Sequence, residues 1–186
     1  MNNINRVDAI QLLNKYVKNE NLKKHMFAVE SAMRCYAKHF NEDEDWWGLV
    51  GLLHDFDYEK YPDIKDHPTK GAEILREKGY PEDFIKTIVA HAPHTGEPRD
   101  TLVKKTIFAV DELCGLIVAV ALVRPNKKIS EVKVKSVKKK MKDKAFARQV
   151  NREEIIQGAE ELNKTIDEHI EIVLNSLIVI DTELGL

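Results

Sequence analysis

Apolar residues recur along this chain at intervals of three and four and never in a sustained alternation, so the pattern predicts helices throughout. Ile10, Leu13 and Val17 mark one face of a short first helix over Val7–Val17. After Asn19-Glu20-Asn21 a longer stripe reads Leu22, Met26, Val29, Met33, Tyr36 and Phe40, the spacing of one buried helix face. Asn41, with Glu44 three residues on, has the form of a capping box. The third helix it opens runs through Trp46, Trp47, Val50 and Leu53 to His54-Asp55. Only one of the adjacent tryptophans can point fully inward.

A polar loop follows from Asp57 to Asp66. Pro68 suits the first position of a fourth helix that ends at Gly79. Pro81 opens a fifth, and Pro93 stops it near His91, because the residue before a proline is pushed out of helical geometry. The turn His91–Gly96 is therefore exposed. Asp100 or Thr101 caps a sixth helix to about Val123, closed by Pro125. Val134, Val137 and Met141 predict a short amphipathic helix inside a segment, Lys127–Lys144, that sets nine lysines against Glu131 and Asp143. Asn151 and Glu154 start one last helix with the stripe Ile155, Ala159, Leu162, Ile166, Val173, Leu177 and Ile180. It is long enough to wrap the bundle or to offer a homodimer face.

Composition narrows the class. At 186 residues, 43% hydrophobic and 32% charged, the chain suits one medium-sized globular domain. No repeat or linker divides it, and the lysine-rich segment is the nearest thing to a boundary. A formal charge of −2 argues against a general nucleic-acid partner. Met1–Ile10 lacks the apolar core of a secretory signal, and the runs Leu116–Val123 and Leu177–Ile180 are too short to cross a bilayer. Cys35 and Cys114 form no paired motif and read as reduced core thiols, which fits a cytoplasmic protein without a membrane partner.

The chemistry gathers at helix ends. His54-Asp55 closes an apolar helix with a neutral nitrogen and a carboxylate oxygen, ligands that Zn, Mn and Fe(II) accept together. His25 sits inside an apolar stripe, His67 at a helix entrance, and His91 and His94 in an exposed turn. Asp111 interrupts the apolar run Ile107–Leu116, where an unpaired buried carboxylate costs several kcal/mol. Each has a plain reading as well: a satisfied core histidine, a cap, a solvated loop residue. His169, between Ile166 and Val173, reads as core or interface, and His39 as solvated.

The ordered set His25, His54-Asp55, His67, His91, Asp111 resembles the HD superfamily of metal-dependent hydrolases. Gly51-Leu-Leu-His-Asp-Phe-Asp-Tyr-Glu-Lys60, Gly71-Ala-Glu-Ile-Leu, Ala121-Leu-Val-Arg-Pro-Asn and Lys135-Ser-Val-Lys-Lys-Lys are similar to a bacterial subgroup of predicted HD-type hydrolases. The resemblance implies an all-α HD-domain helical bundle. Its motif core would span about residues 20–125, with residues 126–186 packed on it in a single domain. It implies one or two divalent ions (Mn, Fe, Zn, Co, Ni or Mg). His25, His54, Asp55 and Asp111 would hold the first ion, and Asp55 would bridge to a second held by His67 and His91. His94 would replace His91 or donate a proton.

The activity implied is a phosphohydrolase acting on a small phosphorylated metabolite, such as a nucleotide, with metal-activated water as nucleophile. Lys60, five residues after Asp55, and Lys138, Lys139 and Lys140 are then candidates to grip phosphate, unless the lysines are simply a solvated face. Some nucleotidase members carry a Glu where this chain has Tyr58, and Asp57, Glu59 or Asp63 would have to stand in. Two alternatives share the ligand set: a di-iron oxygenase, and a non-catalytic module that binds metal or nucleotide.

Overall fold

The computed structural model describes residues 5–186, which form ten α-helices and two short 3₁₀ turns, with no strand among them. The fold is all-α, as the periodicity requires. Residues 1–4, part of the stretch read for a signal, lie outside the described residues.

Helix α2 (Glu20–Phe40) is the spine, packed against α3 (Glu44–Leu53), α6 (Leu102–Leu122) and α9 (Ile166–Val179). Its stripe behaves as expected: Met26, Val29, Met33 and Tyr36 are fully buried, each large side chain contributing about 1.5–3 kcal/mol in apolar transfer. Helix α3 is buried all round from Trp47 to Leu53, the mark of an inner helix. It approaches α2 closely because Gly51 has no side chain, and a Cβ there would stand 2.8 Å from the Val29 carbonyl oxygen. Trp47 points inward, while Trp46 is half-buried and meets the Phe84 ring edge-on at 5.6 Å. Helix α1 (Arg6–Tyr16) covers α3, and α4 (Thr69–Glu77) pairs with α5 (Glu82–Val89).

Two local expectations need correction. Asn41 does not cap α3. It ends α2 in the left-handed conformation (φ 58°), and Asp43 caps α3 by accepting from the Asp45 and Trp46 amides. The long last helix is three pieces: α8 (Arg152–Glu161), α9 and α10 (Asp181–Leu184). Asn163 turns the chain through a left-handed residue, and Thr165 and Glu168 form a capping box that restarts the helix as α9. The break lets α8 lie on α6, where Gly158 seats against Ala109, while α9 packs on α2 and α6. Helix α7 (Val134–Met141) touches α6 and α9. Cys114 is buried and Cys35 half-buried, and both are free thiols.

Candidate metal centre

The candidate residues arrive from separate elements. His25 comes from the first turns of α2 and Asp111 from the middle of α6. His54 and Asp55 follow the last turn of α3, His67 stands just before α4, and His91 just after α5. All six meet at one cleft. His25 Nε2 is 2.9 Å from Asp111 Oδ1, which is 3.4 Å from His54 Nε2. Asp55 Oδ1 lies 3.2 Å from His67 Nε2 and 3.3 Å from His91 Nε2, and the two ring nitrogens are 3.2 Å apart.

The tautomers follow from the far side of each ring. His54 Nδ1–H donates to the Gly51 carbonyl at 2.8 Å, and His91 Nδ1–H to the Ile88 carbonyl at 2.6 Å. His67 Nδ1–H donates to Asp57 Oδ1 at 2.9 Å. A neutral imidazole that donates through Nδ1 leaves a lone pair on Nε2. In their neutral form the three rings turn Nε2 lone pairs toward carboxylate oxygens, and His54 Nε2 and Asp55 Oδ1 are buried without a hydrogen-bond partner. Such crowding of acceptors is relieved by positive charge, supplied by protons or by a metal ion. Two triads, His25-His54-Asp55 and Asp55-His67-His91, each place their ligand atoms within 4.8 Å of one another and share Asp55. Among the described residues the donor set thus fits divalent metal, with Asp55 standing between two positions.

Electrostatics agree. Burial opposes charge on His54, but Asp55 and Asp111 outweigh it and lift the imidazole to about 9. Burial likewise opposes charge on His67, and the bonds to Asp55 and Asp57 lift it to about 10. Asp55 and Asp111 are held well below the usual carboxylate range: burial resists their charge, and the His54 imidazole with neighbouring ring N–H groups prevails. The pocket favours positive charge, whether protons or metal.

The family model described as HD domain matches residues 22–116, half of the chain. The chain belongs to the HD-domain family. No solved structure matches it. HD domains are generally metal-dependent hydrolases, and this HD domain carries a His/Asp cluster of the matching chemistry. No helix among the described residues is long and apolar enough to cross a membrane.

The lysines of this HD domain lie elsewhere. The cleft, about 330 Å³, is lined by no lysine or arginine. The Lys60 ammonium instead sits 5.1 Å from the Tyr61 ring and 5.5 Å from Tyr16. Lys138 pairs with Asp167 at 2.5 Å, and Lys140 covers the Phe146 ring at 4.4 Å. Lys138 and Lys139 line a separate groove along α7. Spacing from Asp55 suggested Lys60 and the basic run suggested Lys138, Lys139 and Lys140, and none of them lines the cleft. His94 does line the cleft, at its exposed rim, with Nε2–H on the His67 carbonyl at 3.0 Å.

None of the acids offered as a substitute for the nucleotidase Glu occupies such a place. Glu59 accepts from the Lys18 and Asn19 amides at the start of α2, and Asp63 from the Lys65 amide. Asp57 is fully buried beneath the centre. It holds His67 through one oxygen and the Gly71 amide through the other, at 2.8 Å, and a Cβ at Gly71 would strike its carboxylate. Second-layer carboxylates of this kind fix the ligand tautomer. Two further cleft residues, Glu112 and Glu154, had no distinguishing sequence signal beyond the position of Glu112 next to Asp111. Burial and the Asp111 charge push Glu112 up to about 7, and burial raises Glu154 as well.

Proposed function

We propose that this protein is a metal-dependent phosphohydrolase acting on a small phosphorylated molecule. One observation carries the reading: the ring nitrogens of His25, His54, His67 and His91 converge with the Asp55 and Asp111 carboxylates on one cleft, where His54 Nε2 and Asp55 Oδ1 are buried without a hydrogen-bond partner. His25, His54, Asp55 and Asp111 would hold one ion, and Asp55, His67 and His91 a second. When bound, divalent ions supply Lewis acidity, activating water near neutral pH and drawing charge from the phosphoryl oxygens.

The chain's own residues position and neutralise. Asp57 holds the His67 ring at Nδ1 so that Nε2 faces the cleft, and the Gly51 and Ile88 carbonyls do the same for His54 and His91. Asp55, shared by both triads, fixes the distance between them. Hydrolysis joins a water oxygen to phosphorus, breaks the ester P–O bond and delivers a proton to the departing alcohol. His94, whose Nε2–H is committed to the His67 carbonyl, would move that proton at Nδ1 from the rim. We also infer that residues 126–186 belong to one domain with the motif core, a reading supported by α8 and α9 packing on α6 and α2.

Elemental analysis with the metal-to-chain ratio, followed by phosphate-release assays under Mn, Co, Ni and Zn, tests the proposal. Between one and two ions per chain and release of phosphate from at least one ester are expected. An empty cleft under every loading condition would refute it. An O₂-reactive iron pair after anaerobic loading, without phosphate release, would replace it with oxygenase chemistry.

A further inference from the structure

The cleft has a charge pattern that a general phosphate grip does not explain. Beyond Asp55 and Asp111 it is lined by Glu112 and Glu154, and no lysine or arginine reaches it. The two glutamates add acidic groups to the cleft, and the lining offers no lysine or arginine to meet a second anionic group of a substrate. Arg99, from the loop before α6, is taken up by Glu161 at 2.7 and 2.9 Å and by the Phe108 ring.

Asn151 organises the two glutamates. Its backbone amide donates to Glu112 Oε2 at 3.1 Å, and its side-chain amide donates to Glu154 Oε1 at 2.6 Å. No other hydrogen bond among the described residues reaches either carboxylate, so each keeps an oxygen free. Tyr58, 40% exposed, supplies an aromatic wall on the same cleft, its ring against His67 at 5.2 Å. Ala92, Pro93 and Val150 add apolar surface to a lining that also includes His94 and Gln149. Carboxylates and an aromatic ring lining one cleft are the groups that hold an alkylammonium ion, through charge and through cation–π attraction. Arginine fingers or lysine clamps, which hold polyphosphate chains, are missing from the lining.

We propose that Glu112, Glu154 and Tyr58 select the organic half of the substrate, and that the preferred class is a phosphate monoester whose leaving alcohol carries an ammonium group. The phosphoryl end would face the histidines and the ammonium end the two glutamates. The same lining disfavours nucleoside di- and triphosphates, whose extra phosphates would meet carboxylates. This inference rests on the phosphohydrolase reading for its chemistry but makes a separate claim about recognition.

The test uses the full chain loaded with Mn. Phosphocholine and phosphoethanolamine are compared with glycerol phosphate, phosphoglycerate and ATP, first by calorimetric binding and then by phosphate release. The cationic esters should bind at least tenfold more tightly than glycerol phosphate, with phosphoglycerate and ATP weaker still. Glu154→Gln should reduce the preference for phosphocholine over glycerol phosphate about tenfold, and Tyr58→Leu should weaken phosphocholine more than phosphoethanolamine. Equal binding of cationic, neutral and anionic esters, or a preference unmoved by Glu154→Gln in a variant of unchanged helical content, overturns the inference even where phosphate is released. Preferential binding of the cationic esters with no release from any ester leaves the recognition claim standing and removes the hydrolase.

Discussion

Two histidines in this molecule are buried to 0% exposure, and they have opposite lives. His169, on α9, is spoken for on both nitrogens: the Tyr36 hydroxyl donates to Nδ1 at 2.6 Å, and Nε2–H donates to the Ala109 carbonyl at 2.9 Å. Burial drives it down to about 4, so it stays neutral and joins α2, α6 and α9 as a strut. His54 satisfies only Nδ1, and its other nitrogen looks across at Asp111 and Asp55. Depth alone does not separate a candidate ligand from a core histidine. The partner of the second nitrogen does.

Removing the shared carboxylate should break the comparison most sharply. In Asp55→Ala both triads lose a member, whereas no bond of His169 is touched. Metal affinity is expected to fall by more than about 100-fold, beyond what an outer-layer change costs. The metal-to-chain ratio after gel filtration measures this, and circular dichroism should show helical content retained. Full metal occupancy in this variant would sink the assignment of Asp55 as the shared ligand.

The strut makes its own prediction, in pH. His169 has a folded pKa of about 4 against 6.5 unfolded, so between these values the unfolded chain binds a proton that the folded chain refuses. Its contribution to stability is complete above pH 6.5 and is lost as pH falls through 4, on the order of 3 kcal/mol in all. His169→Gln keeps a donor and an acceptor but cannot titrate. Urea unfolding of chelator-treated protein should therefore show a shallower acid loss in the variant over this window. Parallel pH profiles for the two proteins would contradict the account.

A smaller effect is expected from Asp57→Asn. The amide can still accept from His67 Nδ1–H, but it sets an N–H against the Gly71 amide and removes the charge that holds the ring. A loss of about 10–100-fold in metal affinity follows from the outer-layer role, read by competition with a chromogenic chelator. No change would mean that the ring is held by packing alone.

These residues also show what the chain displays in one dimension. Helix periodicity was readable because each stripe is a burial pattern, and Met26 to Tyr36 lie where it puts them. The candidate histidines stood out by their order, with His54, His67 and His91 at or beside helix ends and His25 within an apolar stripe. Asp57 as a support was hidden, since its partner His67 is ten residues away across a loop without period. Glu112 and Glu154 look like ordinary polar helix positions until α8 folds onto α6. The break between α8 and α9 was masked by Leu162 and Ile166, which keep a four-residue spacing across it, although Thr165 and Glu168 spell a capping box. Asn41 and Asp43 are both good caps, and only the left-handed backbone at Asn41 decides between them.

The lysine-rich segment is the weakest lever, and it sharpens the contrast from the other side. The cleft concentrates charge that its neighbours do not neutralise, while α7 spreads charge over a surface where water and local acids do so. Lys138 has Asp167, Lys140 has Asp143 and Phe146, and Lys139 is exposed. Exposed pairs of this kind are worth up to about 1 kcal/mol and weaken with salt. Lys138→Ala with Lys139→Ala and Lys140→Ala should accordingly shift stability by no more than about 1 kcal/mol per pair and leave metal affinity within twofold of the parent. A loss of phosphoester binding in that triple variant, with metal retained, would mean that the α7 surface reaches the substrate after all. It would return these lysines to the site from which their observed directions remove them.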